Sequence, residues 1–325
     1  MKIACVMGGS GFLGSHVADK LTDAGYRVRI FDQNPSKWLK SGQEMIVGNV
    51  LNSKEVNKVI SGSDIVYNFV ALSDLNAAID KPLETIQVNI LGNGYIMEAC
   101  RKHGVSRFVY ASTVYVYSRD GGFYRCSKQS SEQYVEEYQK TYDLDYTILR
   151  YGSLYGPRAD QSNGLYRIVK SALETGVVRY EGNEESQREY IHVEDAALAS
   201  VSVLADDFRN QSVILTGQEP MRVVDLLKML AEILDYSTEI EFCDVNQTGH
   251  YIRTPYAYQP KPGLKFIPPV HVDLGQGLIQ IINEIMQEDI DFDNIWVQSR
   301  SEIKAPAKCS DFNTSFRIWY STNFL

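Results

Sequence analysis

The feature that most constrains this chain is a glycine-rich turn near its start. Residues 2–7 (KIACVM) form a short apolar run, the pattern of a strand buried on both faces of a parallel sheet. Gly8, Gly9, Gly11 and Gly14 follow at once, with Phe12 and Leu13 between the last two. They open a helix predicted to reach about Ala24, where Gly25 stops it. A second apolar strand, Tyr26 to Phe31, ends on Asp32. Glycine, lacking Cβ, lets the backbone turn tightly and approach a pyrophosphate. The helix N-terminus adds unpaired N–H groups and the positive end of its dipole. A carboxylate at the tip of the second strand can accept hydrogen bonds from the adenosine ribose hydroxyls. It also repels a 2′-phosphate, and neighbouring Gln33 brings no cation, so the pattern predicts NAD rather than NADP. The spacing leaves two fingerprints open, Gly9/Gly11/Gly14 and Gly8/Gly11/Gly14. A turn without a ligand in some other doubly wound protein is the competing reading.

Strand and helix patterns then alternate. Strands are predicted at 44–47, 64–70, 107–111 and 146–150, with helices at 53–61, 81–103 and 124–142. Six or seven strands interleaved with helices imply an α/β fold, a Rossmann-type doubly wound parallel sheet with ligands at the strand C-termini. Beyond residue 150 the alternation loosens into a smaller C-terminal α/β domain. Its helices are predicted at 164–176, 193–205, 223–234 and 274–286, and its strands at 177–180, 213–215 and 239–242. The stretch 251–269 holds five of the ten prolines and reads as extended. The predicted domains are 1–160 for the dinucleotide, receiving part of 186–216, and 161–290 for a substrate. A tail, 291–325, carries Trp296, Phe316, Trp319, Tyr320 and Phe324 without clear periodicity and receives no role.

A net charge of −9 with no basic stripe argues against nucleic acid as a partner. No apolar stretch approaches membrane-spanning length, and the chain enters a strand rather than a signal peptide. Five scattered cysteines without C-x-x-C predict reduced thiols in a cytoplasm, with Cys5 and Cys100 as small core residues, and no metal site is expected.

The chemistry-bearing residues follow the 107–111 strand, which ends on Ser112 and Thr113. Tyr124 and Lys128 stand at i and i+4 on one helical face. A phenol with a pKa near 10 is a poor base, but an ammonium one turn away and an oxidised nicotinamide would lower it. Such a Tyr can take a hydroxyl proton while hydride leaves to a cofactor, with Thr113 holding the same oxygen. A Tyr/Lys pair alone is common on surface helices; here it lies downstream of a nucleotide turn.

With these motifs the chain resembles the extended short-chain dehydrogenase/reductase family, in its NAD-dependent epimerase/dehydratase branch acting on nucleotide sugars. The resemblance covers about 2–286. It rests on Gly8–Gly14, Asp32, Asn49 and Val50, Val70 and Ala71, Asn89, Ser112 and Thr113 with Val116 and Tyr117, Tyr124 and Lys128, 150–158 (RYGSLYGPR) and 188–195 (REYIHVED). It implies that Asn49 and Val50 flank the adenine, and that Val70, Ala71 and Asn89 line the path of ribose and phosphates. Lys128 would hold the nicotinamide ribose, and Tyr151 would lie beside the nicotinamide. Ser112, Ser153 and Arg188 would face the substrate, with Arg188 on its pyrophosphate, a role that suits a bidentate guanidinium.

Departures from the family sharpen the expectation. The stretch Ser118–Phe123 is much shorter than usual, Ser118 replaces a glycine, and Gly152-Ser153 replaces a bulkier residue followed by asparagine. Val114-Tyr115 stands where resembling 4,6-dehydratases carry Asp-Glu and decarboxylases a Glu, so those eliminations lack their acid/base pair. The expectation is therefore an NAD-dependent nucleotide-sugar epimerase working through C4. A one-way dehydrogenase or ketoreductase and a non-catalytic NAD- or metabolite-binding regulator are the alternatives. His192 and Asp195 read as the opening of a helix, and His250 and Arg253 as possible nucleotide contacts. A homodimer is expected through Ile90, Ile96, Met97, Tyr134, Val135 and Tyr138.

Overall fold

The computed structural model describes residues 1–234, 239–243, 250–252, 263–266, 268 and 270–296. The chain divides into two compact units, the first being Met1–Leu154, Ser186–Met221 and Gln247–Val272. Within it, β1 (Ile3–Met7), β2 (Arg27–Asp32), β3 (Gln43–Val47), β4 (Ile65–Asn68), β5 (Arg107–Thr113) and β6 (Tyr146–Tyr151) form one sheet with the strands Gln211–Leu215 and Leu264–Lys265. The order is β3, β2, β1, β4, β5, β6, Gln211–Leu215, Leu264–Lys265, and every pairing is parallel. Strand order reverses between β1 and β4, where such sheets open a crevice at their C-terminal ends. This is the doubly wound fold predicted, one strand wider. The extra strand, Leu264–Lys265, is two exposed residues within the proline-rich stretch, too short to show a period.

Alternating side chains divide the core cleanly. Ala4, Val6, Val28, Ile30, Val109 and Leu149 point to one face, packed with Val17 and Leu21 of helix Phe12–Asp23 and Ala196 and Ala199 of helix Val193–Ser202. Cys5, Met7, Phe31, Val66, Phe108 and Ile148 point to the other. There they meet Val56 of helix Ser53–Ile60, Ile96 and Met97 of helix Gly92–His103, and Val135 of helix Gly122–Tyr142. Each large apolar side chain buried this way stabilises the fold by about 1.5–3 kcal/mol.

That packing corrects the surface predicted for a dimer. Ile96, Met97 and Val135 are core residues, whereas Leu83 (74% exposed), Ile86, Leu91 and Tyr134 are among the exposed apolar side chains of these helical segments. The helix predicted over 81–103 is three joined pieces, Pro82–Thr85, a π-helical Ile86–Leu91 and Gly92–His103. A further short helix, Leu75–Asp80, precedes them. Cys5 and Cys100 are buried, and burial pushes the Cys5 thiol up to about 12.

The second unit is Tyr155–Glu185, Arg222–Asn246 and Asp273–Leu325. It holds a two-stranded parallel sheet, Val177–Glu181 beside Glu239–Cys243, and helices Gly164–Thr175, Val223–Leu234 and Leu274–Trp296. The last helix runs to Trp296 rather than ending at Met286. Arg253, Phe316, Trp319, Tyr320 and Phe324 lie outside the described residues. Among the described residues no helix is long and apolar enough to cross a membrane.

Candidate active site

The glycine turn is decided by close approach. Gly8 has φ +79°, and a Cβ there would stand 2.9 Å from Phe69 C and Val70 N. A Cβ on Gly14 would stand 2.2 Å from Gly8 O, inside contact distance. Gly9 meets mainly the side chains of Ile30 and Val6. The spacing Gly8, Gly11, Gly14 is therefore the structural one. Gly11 is the N-cap of helix Phe12–Asp23 and gives no side-chain cap, so the first helical N–H groups are left to a ligand or solvent. Phe12 and Leu13 form that first turn, half-buried.

Three strand ends converge here. Gly8 N–H donates to Phe31 O at 2.7 Å and Phe69 N–H to Met7 O at 2.8 Å. Asp32 closes the lip, its carboxylate accepting from Ser10 N–H at 3.1 Å and Asn34 N–H at 3.0 Å. Asn49, exposed, follows β3, and Val50 is buried beneath it. Val70 and Ala71, half-buried, follow β4. A tight turn without side chains, an uncapped helix end and an oriented carboxylate fit a dinucleotide.

A second cluster forms at the end of β5. Helix Gly122–Tyr142 begins after Gly121 at φ +94°, and this turn brings Tyr124 beside Thr113, whose hydroxyl lowers the phenol's pKa. Lys128, 2% exposed, sends its Nζ to Ala111 O at 2.7 Å and lies 5.7 Å from the centroid of the Tyr124 ring. Burial lowers Lys128 to about 7 against a pull upward from Glu132. Burial also raises the half-buried Tyr124, partly offset by Thr113. Thr113, Tyr124 and Lys128 are thus brought together, but the protein alone keeps the phenol neutral. The expected lowering needs the oxidised nicotinamide as well as the ammonium; in the protein alone the ammonium sits on a carbonyl and is itself disfavoured by burial.

Beneath this cluster lies a network that sequence reasoning passed over. Glu132 (0% exposed) accepts from Arg150 (1% exposed) at 3.0 and 2.8 Å and from the Ser112 hydroxyl. Arg150 also donates to the Tyr117 hydroxyl at 2.6 Å. Burial works against the charge on Arg150, yet the bonds and charge of Glu132 hold its pKa above the usual value. Ser112 therefore belongs to the support of β5, its hydroxyl turned to Glu132 rather than to a substrate. The clue was legible: Tyr124, Lys128 and Glu132 repeat every four residues along one helix face.

Asn89 is likewise spent inside the protein. Its side chain accepts from Leu72 N–H at 2.7 Å and donates to Leu72 O at 3.1 Å and Ser127 Oγ at 2.9 Å. The π-helical turn around it leaves Asn89 O to accept from Ser131 at 2.9 Å. These bonds join the loop after β4 to the helix that carries Tyr124.

The family model for "NAD dependent epimerase/dehydratase family" matches residues 4–215. The chain belongs to that family. Its cofactor is accordingly NAD, and the branch lies within the extended short-chain dehydrogenase/reductases. A candidate UDP-glucose 4-epimerase of Methanocaldococcus jannaschii is 26% identical over 302 residues, 86% of this chain and 96% of that protein. A dTDP-glucose 4,6-dehydratase of Mycobacterium tuberculosis is 24% identical, over 84% and 90%. Among solved structures, UDP-glucose 4-epimerase of Thermotoga maritima with UDP-glucose superposes with a TM-score of 0.77 at 24% identity, covering 89% of this chain and 99% of that one.

Other family positions lie as follows. Tyr151 is buried, its hydroxyl 2.7 Å from Ser200 Oγ, so its phenol serves the core. Gly152 has no room for a Cβ, which would stand 2.8 Å from Glu189 O, and half-buried Ser153 donates its N–H to that carbonyl at 2.9 Å. Arg188 is 7% exposed, donates to Gln187 O at 2.8 Å and Tyr251 O at 2.7 Å, and lies over the Tyr251 ring. The acids Glu184, Glu185 and Glu189 are not the partners of these bonds. His192 is the N-cap of helix Val193–Ser202, accepting from Glu194 N–H, and Asp195 accepts Val272 N–H at 2.8 Å. His250 bonds Tyr115, a pairing across 135 positions that no local pattern signals.

Proposed function

We propose that this protein is an NAD-dependent nucleotide-sugar 4-epimerase acting on a UDP-hexose. The observation that carries the reading is the assembly of Thr113, Tyr124 and Lys128 at one strand end beside Val114 and Tyr115, which bring no carboxylate for elimination. Tyr124 takes the proton of the C4 hydroxyl and returns it, and Thr113 holds that oxygen by hydrogen bonding. Lys128, charged once a ribose hydroxyl and the phenolate face its buried ammonium, orients the cofactor and stabilises the ionised Tyr124. Bound NAD would supply reversible acceptance of the hydride from C4, whose return to the opposite face inverts that carbon. Asp32 anchors the adenosine ribose and Arg188 the substrate diphosphate. Relatives named for UDP-sugar epimerisation support the choice of UDP.

Interconversion of UDP-glucose and UDP-galactose, or of another pair in a panel of UDP-, GDP-, CDP- and dTDP-sugars, with no added NAD consumed, tests the reading. Stoichiometric release of NADH would identify a one-way oxidoreductase instead. Binding of NAD and nucleotide sugar without turnover would identify a regulator. The exposed Leu83, Ile86, Leu91 and Tyr134 support a homodimer, to be checked by light scattering. The free thiols Cys5, Cys100 and Cys126 support a cytoplasmic location.

A further inference from the structure

Beside Thr113 lies an aromatic cluster that the proton transfer does not use. The backbone N–H of Tyr115 donates to the Thr113 hydroxyl at 3.3 Å. Its ring is held on two sides. Gly121, which starts the helix of Tyr124, approaches so closely that a Cβ there would stand 2.7 Å from ring atom Cδ1. Tyr251 packs at 4.8 Å between ring centroids. The phenol oxygen is 2.8 Å from His250 Nδ1.

The segment 250–252 is fixed from its other side as well. Gln187 N–H donates to Ile252 O at 2.7 Å. Arg188 donates to Tyr251 O at 2.7 Å, with its guanidinium 4.5 Å from the centre of the Tyr251 ring. One unbroken set of contacts therefore runs from Arg188 through Tyr251 and Tyr115 to Thr113 and to Gly121, where the helix of Tyr124 starts.

Resting on the function proposed above, we propose that Tyr115, locked by His250, is a positioning residue that sets the span between the diphosphate anchor and the reacting hydroxyl. A nucleotide sugar must satisfy both ends of that span at once, whereas a nucleoside diphosphate needs only the first. Two rings in contact fix the span more firmly than a loop, and the loop at 118–123 is short. Displacement of a reacting group by about 1 Å costs on the order of 100-fold in rate. The Tyr115 ring keeps the spacing, and its hydroxyl ties the 250–252 segment to the Thr113 turn.

Calorimetry of the NAD-loaded protein with UDP and with UDP-glucose, together with kcat and KM, tests this. Tyr115→Phe and His250→Leu each remove the Tyr115–His250 bond and are expected to lower kcat about three- to tenfold, with affinity for UDP and NAD unchanged. The double variant should fall short of the sum of the two single effects, because both lose the same bond. Tyr115→Ala also removes the spacing ring and should lower kcat about 100-fold. If it fails to fold, the Phe and Leu variants, which nearly conserve volume, still decide. An unchanged kcat, a parallel fall in UDP affinity, or additive single effects would overturn the proposal. Wild-type protein that binds both ligands without turnover refutes the epimerase reading separately. The span is then judged by whether the variants lower the affinity for UDP-glucose relative to UDP, and an unchanged ratio overturns it.

Discussion

The Gly8–Gly14 turn and the Thr113–Tyr124–Lys128 cluster stand at strand ends of one sheet and are built by opposite means. The turn is made of backbone: its shape depends on atoms that are missing, at Gly8 and Gly14, and it owes nothing to a buried charge. The cluster is made of side chains, and its chemistry depends on how burial and a few hydrogen bonds set their protonation. The turn should therefore fail on added volume and tolerate changes of charge, while the cluster should do the reverse. A site can thus bind its cofactor through geometry and still be inert if its electrostatics are altered.

The largest expected effect falls on the cluster. Tyr124→Phe removes one oxygen and should lower turnover by about 100- to 10,000-fold while calorimetric NAD affinity is retained. Activity within a few-fold of wild type would break the contrast, since the chemistry would then not depend on that ionisable group.

Next comes the support of the cluster. Glu132→Ala leaves the guanidinium of Arg150 buried against Tyr117 without its carboxylate. Breaking such a pair costs about 3–5 kcal/mol, to be read from the urea midpoint. A loss below about 1 kcal/mol would mean that water reaches Arg150 and that the cluster is less dry than its burial indicates.

The turn should show the complementary response. Gly14→Ala places a methyl group 2.2 Å from Gly8 O, so the turn must open. NAD affinity should fall at least about tenfold, roughly 1.4 kcal/mol, and the cost in folding should be about 1–3 kcal/mol. Unchanged NAD affinity in this variant would show that the cofactor does not depend on the tight turn.

The smallest signal is a slope. Lys128 titrates near 7 in the folded protein, below its ordinary value of 10.5. Between those values the unfolded chain binds the extra proton, so stability should rise with pH from about 7 to 10, by at most about 1.4 kcal/mol per pH unit. Lys128→Met should flatten the rise measured by denaturation at pH 7, 8 and 9. A wild-type curve that stays flat across this window would place the ammonium in water rather than under the sheet.

The same contrast separates what was legible in the sequence from what was not. Glycines, apolar strands and a Tyr/Lys spacing are local, and local patterns survive in one dimension. They place β1, β2, the turn, Asp32 and the pair Tyr124 and Lys128 from neighbouring residues alone. Ile96, Met97 and Val135 were misplaced because amphipathic spacing shows that a helix has an apolar face. It does not show whether the sheet or another molecule covers that face.

The sequence by itself determined a doubly wound nucleotide-binding fold and the identity of the groups able to move a proton, because strand burial, helix opening and side-chain chemistry are properties of neighbouring residues. The tertiary structure alone decided which of those groups are available. It spent Ser112 on Glu132, Asn89 on Leu72 and Ser127, and Tyr151 on Ser200. It also added the Leu264–Lys265 strand and joined Tyr115 to His250. The reason is physical: a buried polar atom has to find a partner wherever the fold brings one within about 3 Å, and that partner is set by packing across the sheet, not by distance along the chain.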